Sequence, residues 1–324
     1  VVDVHATVPV VDLAAPDAPA AIDRAARELG FVLLSGHDID SSARAAVLGA
    51  AQRLFALDDD AKRRVSLAAG GRAWRGWFPL GGELTSGVPD RKEGFYVGRD
   101  APSDPSSPPL HGPNIWPDEV PELAPAVTAW MLAMEQLGQR VLAAMATGLG
   151  LAADHFRSSL TADPTVLFRI FRYPPHPCGD DETWGVGEHT DYGLVTLLAH
   201  DGTPGLEVWS GDGWIEVDPD PDLIVCNLGD MLDRLTGGRY RSTPHRVRNH
   251  AGRDRISLPF FLDPAWDATI EPLDLAGTGD GPAPTSAQRE RWDRADLGTV
   301  GGTYGEWLLA KVTKVFPHLA ADVL

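Results

Sequence analysis

From about residue 165 the chain breaks into short β-rich segments separated by turns, and that texture limits the folds open to it. TVLFRIFRY, LVTLLAH, LEVW, WIEV, DLIVCNLG, HRVRN and RISLPFFL are the candidate strands. The connectors DGTPG, SGDG and DPDPD are dense in Gly, Pro and Asp, each of which favours a turn for its own backbone reason. Many short strands at such spacing predict a barrel or a sandwich. The part before them reads as largely helical. AAIDRAARELG carries Ile22, Ala25, Ala26 and Leu29 at helical spacing, with Gly30 as its stop. It lies between two predicted strands, VPVVDL (Val8 to Leu13) and FVLLSGH (Phe31 to His37). Further helical stretches near 41–56 and 59–68 lead into a Gly-rich segment. Between Asp118 and Leu149, the residues Leu123, Val127, Met131, Met134, Leu137, Val141 and Met145 form one apolar stripe, which predicts a core helix backing the sheet. GTGDGPAPTSAQ (Gly277 to Gln288) reads as a surface loop and TYGEWLLAKVTKVF as a closing helix. No stretch looks like an interdomain linker. The expectation is one domain over 1–324, helical with short strands over about 1–155, a β-rich core that carries the candidate site over about 165–265, and a closing loop and helix over about 266–324.

Charge narrows the function classes. With 28 Lys+Arg against 46 Asp+Glu the formal net charge is −18, so binding to nucleic acid or to anionic membranes is not expected. No apolar run approaches the ~20 residues that span a bilayer. VVDVHATVPVVDLAAPD shows no basic region followed by an apolar stretch, so no signal peptide is expected. Cys178 and Cys226 are too few for a disulfide framework, and a reducing cytoplasm is the simplest setting.

GEHTDYG places His189 and Asp191 two residues apart, just before a predicted strand. Side chains alternate across a strand, so the pair is expected to share one face while Thr190 turns away. His245 in STPHRVRN is the best third ligand. Two histidines and one carboxylate with open positions form the pattern of non-haem Fe(II) oxygenases; His-x-Asp alone is common by chance. Ten residues beyond His245 comes Arg255 of RISLPFFL, sharing a face with Ser257. A buried guanidinium needs an anion. A dicarboxylic ligand would satisfy it bidentately, with a hydrogen bond from Ser257; a protein carboxylate would serve as well.

These elements, together with ELGFVLLSGHDI, RYPP, HTDYGLVTLL, PGLEVW, NLGDMLDRLTGGRYRSTPHRV and DRISLPFF, resemble the Fe(II)/2-oxoglutarate-dependent dioxygenases of the isopenicillin N synthase-like branch, over most of the chain. The resemblance implies a mainly β fold with flanking helices around a double-stranded β-helix (a jelly roll, cupin-like). It implies Fe(II) at His189, Asp191 and His245, and the 2-oxoglutarate C5 carboxylate at Arg255 and Ser257, with Tyr173 as a further donor. Where plant members read Asn-Tyr-Tyr-Pro this chain reads Phe171-Arg172-Tyr173-Pro174, so no role passes to it from that Asn. The implied reaction consumes O2, releases succinate and CO2, and oxidises, by default hydroxylates, a substrate C–H bond. An oxidase of the same fold that does not use 2-oxoglutarate and a non-catalytic jelly-roll binding protein are the alternatives.

RAWRGWFPLGGELTSGVPDRKEGFYVG (Arg72 to Gly98) is Gly-rich and aromatic, and in this family the corresponding region forms part of the wall opposite the iron. Trp74, Trp77, Phe78 and Phe95 are candidate apolar faces of a substrate pocket, and equally candidates for ordinary core. Glu83 or Thr85 would orient a polar group. Arg172 and Tyr192 flank the metal face, with alternation from Tyr173 leaving an outward course open to Arg172. The expected substrate is a small organic metabolite, not a protein; the high Ala, Gly, Pro and Asp content suits a GC-rich bacterial genome, and secondary metabolism is the expected setting by association only.

Overall fold

The computed structural model describes residues 7–85, 87–176, 183–275 and 296–317. Cys178 and the predicted surface loop over 277–288 lie outside the described residues. The chain opens with β1 (Val10–Asp12), α1 (Ala18–Glu28) and β2 (Phe31–Ser35), and β1 runs parallel to β2. Helices α2 (Ser41–Ala56), α3 (Asp59–Arg64) and α4 (Leu67–Gly70) follow. The side chains of Asp40, Asp58 and Ser66 cap their first turns, which is why each begins where it does.

The Gly-rich segment, to which the sequence assigns no element, holds β3 (Gly76–Phe78) and β4 (Glu93–Gly98). Glycine is a poor strand former on its own. At Gly94 it is required: a Cβ there would lie 2.4 Å from the Phe78 ring and 2.8 Å from that of Phe171.

The stripe helix is α5 (Leu123–Gly148), five residues shorter at its start than the pattern suggested, because residues 118–122 form turns. Met131 of the stripe is only partly buried, while Trp130 is fully buried. Gly138 also faces inward, and a Cβ on it would meet Leu262 Cδ2 at 2.7 Å, so α5 lies against the sheet at close range.

After the short α6 (His155–Ser159) come β5 (Thr165–Tyr173), β6 (Val186–His189), β7 (Val195–His200), β8 (Leu206–Trp209), β9 (Trp214–Glu216) and β10 (Ile224–Leu228). Helix α7 (Asp230–Leu235), β11 (His245–Val247), β12 (Arg255–Asp263) and α8 (Tyr304–Val315) complete the order. Eight strands form one sheet in the order β1-β2-β10-β7-β12-β5-β4-β3, and β6-β11-β8-β9 form another. The two sheets make the jelly-roll core. The central strands β5, β7, β10 and β12 are almost wholly buried because α5 covers one face and the other looks into a cavity between the sheets. Among the described residues no helix is long and apolar enough to cross a membrane.

Candidate active site

His189 is the last residue of β6 and pairs directly with His245, the first of β11. Their rings stand 4.2 Å apart. Asp191 lies beyond β6, in the connection to β7, so strand alternation does not set its direction as the sequence suggested. Side chains do so instead. Its Oδ2 accepts from Thr196 Oγ1 of β7 at 2.5 Å and from Asn227 Nδ2 of β10 at 2.7 Å. Its Oδ1 is left 3.8 Å from Nε2 of both histidines. One ligand atom from each of the three residues lies within 4.8 Å of the others.

The histidines are oriented from behind. Nδ1 of His189 is 2.8 Å from the Gly187 carbonyl, and Nδ1 of His245 is 3.1 Å from the Thr243 carbonyl. A carbonyl only accepts, so Nδ1 carries the proton in each and Nε2 keeps its lone pair toward the shared centre. Burial, reinforced by the neighbouring His245, pushes His189 down to about 3, so its ring is neutral at physiological pH. Asp191 is held below the usual carboxylate range: burial works against this, but His245, His189 and the bonds from Thr196 and Asn227 outweigh it. Two imidazoles and one carboxylate, with side chains only 14%, 8% and 10% exposed, are a fitting donor set for a divalent first-row metal.

Along the same cavity wall, β5 and β12 pair Tyr173 with Arg255 and Phe171 with Ser257. Arg255 is 1% exposed. Its Nε donates to the Thr203 carbonyl at 3.2 Å, but its Nη1 has no partner, and no carboxylate of the described residues lies within salt-bridge distance. The Tyr173 hydroxyl lies 3.5 Å from Ser257 Oγ. Burial raises Tyr173 above its ordinary value despite Lys92 and Arg255, so it remains a donor. A guanidinium nitrogen buried without an acceptor is costly. The group that fits is an anion with at least two acceptor oxygens, such as the end carboxylate of 2-oxoglutarate.

Of the expected pocket residues, Trp74, Glu83, Thr85 and Tyr192 line the cavity. Trp77, Phe95 and Arg172 do not. Trp77 pairs with Phe95, which pairs with Ile170, and all lie on the opposite face of the sheet from Tyr96 and Arg169. On that face Glu93 accepts from Trp77 Nε1 at 2.9 Å and from Arg172 Nη1 at 2.5 Å, and pairs with Lys62 at 3.2 Å. Arg172 also pairs with Asp254. Phe78 stands behind the wall, edge-on to Tyr96, Phe171 and Phe316. Glu83 accepts from the Tyr96 hydroxyl at 2.7 Å and pairs with Lys92, which also pairs with Asp90; both contacts are 2.9 Å.

Several cavity residues had no role in the sequence reading. Tyr96, Arg169 and Asp263 line the wall, as do Leu308 and Val312 of α8 and, at its end, Val315 and Phe316. Arg169 shares the face of Tyr173, four residues on, and that alternation was the available signal. The apolar spacing of α8 predicted a helix but not which surface it covers.

Residues 164–264 match the 2OG-Fe(II) oxygenase superfamily, and residues 8–119 match the family described as non-haem dioxygenase in morphine synthesis N-terminal. A probable iron/ascorbate oxidoreductase of Dictyostelium discoideum is 39% identical, the match covering 94% of this chain and 90% of that protein. A 2-oxoglutarate-dependent dioxygenase of Aspergillus niger is 36% identical over 80% of this chain and 82% of its own length. The crystal structure of full-length Neurospora crassa T7H in complex with alpha-KG and thymine is similar with a TM-score of 0.76, at 25% identity and 97% coverage of both chains.

Proposed function

The chain belongs to the 2OG-Fe(II) oxygenase superfamily, and from that premise we propose that His189, Asp191 and His245 hold the iron and that Arg255, Ser257 and Tyr173 hold 2-oxoglutarate. The protein is an Fe(II)/2-oxoglutarate-dependent dioxygenase. When bound, iron and 2-oxoglutarate supply oxidative decarboxylation to succinate and CO2, coupled to oxidation of a C–H bond, most simply hydroxylation. The observation that carries the residue assignment is the convergence of three ligand atoms whose backs are already tied to carbonyls, Thr196 and Asn227.

In this reading each residue has a definite task. The carbonyls of Gly187 and Thr243 fix the tautomers that leave Nε2 for the metal. Arg255 binds the C5 carboxylate through charge, while Ser257 and Tyr173 donate hydroxyl hydrogens to it. The apolar wall and α8 exclude water, which keeps reactive chemistry on the substrate. The substrate is a small organic molecule enclosed between the sheets, and the net charge of −18 supports the exclusion of nucleic acid. A cytoplasmic setting belongs to the same proposal. It is supported by the cysteine count, since two cysteines are too few for a disulfide framework.

Succinate release tests the reading. It is expected only with both Fe(II) and 2-oxoglutarate present, and is expected to vanish in His245→Ala. In Arg255→Gln, losing a charge-assisted contact of ~1.5–3 kcal/mol is expected to raise the 2-oxoglutarate requirement roughly ten- to a hundredfold. An active His245→Ala protein, or an unchanged 2-oxoglutarate requirement in Arg255→Gln, refutes the corresponding assignment.

A further inference from the structure

Arg169 is the second buried guanidinium on the β5 and β12 wall, and it too lacks a carboxylate. It is 7% exposed and lines the cavity. Register places it beside Tyr96 on β4, over whose ring its guanidinium carbon stacks at 3.5 Å. Nη1 donates to the carbonyls of Val97 and Phe168 at 3.2 and 3.1 Å. No hydrogen bond to a described residue takes up Nε or Nη2, and no carboxylate of the described residues comes within the 4.0 Å of an ion pair.

The other charges here are already matched. Lys92, a further cation lining the cavity, pairs with both Asp90 and Glu83, and Glu83 also takes the Tyr96 hydroxyl. Asp263 accepts from the Tyr304 hydroxyl at 2.5 Å and from the Leu194 amide at 3.2 Å. Burial works against the Arg169 charge and outweighs the Tyr96 hydroxyl, Glu83 and Asp263, which favour it, and neither carboxylate reaches the guanidinium as an ion pair. A guanidinium taken out of water with no anion in contact is unfavourable, so its position on the cavity makes sense if a ligand completes it.

That ligand is not the 2-oxoglutarate held at Arg255. Because Tyr173 faces Arg255, Arg169 lies four residues farther along the wall, ~13 Å at strand rise. Tyr96 stacks on it, Phe316 stands edge-on to Tyr96, and Leu308 and Val312 of α8 line the same cavity, so the enclosure is aromatic and aliphatic. The geometry points to Arg169 as the anchor of the substrate's own carboxylate: the substrate is an organic acid with an apolar body, its acid group on Arg169 and its body in the cavity between that anchor and the His189–Asp191–His245 centre. This rests on the oxygenase reading and deepens it by naming a substrate class and a specificity-determining residue.

Matched acids and amides test it. Phenylacetate, 4-phenylbutyrate and octanoate, each against its primary amide, are titrated calorimetrically into anaerobic protein loaded with Fe(II) and saturating 2-oxoglutarate. At least one acid is expected to bind tenfold or more tighter than its amide, the preference disappearing in Arg169→Gln and surviving in weakened form in Arg169→Lys. A crystal of the wild-type protein with the tightest acid is expected to place its carboxylate on the Arg169 guanidinium, a readout that does not depend on either variant folding. No acid preference in the wild type, a preference unaltered in Arg169→Gln, or a carboxylate bound elsewhere overturns the anchor. Failure of wild-type protein to bind 2-oxoglutarate would instead count against the oxygenase reading, so the two failures are distinguishable.

Discussion

The carboxylate of Asp191 divides its oxygens, Oδ2 accepting from Thr196 and Asn227 while Oδ1 faces the two imidazoles. Free rotation would let either oxygen, or neither, meet the metal; the donors from β7 and β10 remove that freedom before any ion arrives. Asn227→Ala should therefore weaken Fe(II) binding by roughly ten- to a hundredfold, the usual effect of losing a group that orients a ligand. Metal titration under anaerobic conditions reads this, and unchanged affinity would mean that Thr196 alone suffices. That His189, Asp191 and His245 converge was legible in the sequence because their residue types carry metal-binding chemistry themselves. Asn227 stood in NLGDM without a chemical role, since an Asn on a strand does not reveal which carboxylate its amide meets. Arg169 was hidden for a related reason. Alternation puts it beside Tyr173, but whether its charge is matched depends on which carboxylates other segments bring near.

At the scale of elements, the strands from β5 onward, β6 excepted, were readable because turn residues bracket each one, and α5 was readable from its stripe. The strands β3 and β4 were not. Glycines that look like loop residues are there because Phe78 and Phe171 fill the space a side chain would need. Missing β4 also hid the alternation that sends Phe95 toward Trp116 and Tyr96 toward the cavity. Helix α8 shows a limit of another kind. Thr303 and Glu306 form a capping box that fixes its start, and its far end is held by Phe316, edge-on to Trp74, Phe78 and Tyr96. Those partners come from a segment more than two hundred residues earlier, so no local pattern announces the contact. Phe316→Ala removes all three ring contacts at the helix end, and a buried Phe→Ala change costs ~3–5 kcal/mol. The expected result is local detachment of α8. Amide exchange should accelerate through Tyr304–Val315 while β5 and β12 keep their protection; uniform acceleration throughout would show that α8 unfolds only with the rest.

For the molecule as a whole, two buried groups near the cavity oppose each other in acid. Burial, with Arg255 nearby, pushes His200 from 6.5 down to about 4, and its Nδ1 accepts from the Gly202 amide, which requires an unprotonated nitrogen there. As pH falls below 6.5 the unfolded chain takes up this proton first. The contribution of His200 to stability is thus complete above 6.5 and lost as pH falls toward 4. Asp263 runs the other way. Burial raises it from 3.8 to about 7 against the bonds from Tyr304 and Leu194, so the folded protein holds a proton that the unfolded chain has released. Its contribution is complete below 3.8 and lost as pH rises toward 7. Each slope is at most ~1.4 kcal/mol per pH unit, and between 4 and 6.5 they largely cancel, so the parent profile alone conceals both. Differences from the parent separate them. The stability deficit of His200→Gln should widen as pH rises from 4 to 6.5 and then level off. Asp263→Asn, whose amide oxygen can still accept from Tyr304, should gain on the parent as pH rises from 3.8 to 7. Urea unfolding of metal-free protein at half-unit pH steps gives both differences, with His189 common to all three proteins and so removed by subtraction. A deficit in His200→Gln that does not change with pH would mean that this ring contributes packing alone, and a flat difference for Asp263→Asn would mean that the folded protein keeps that carboxylate ionised beside the cavity.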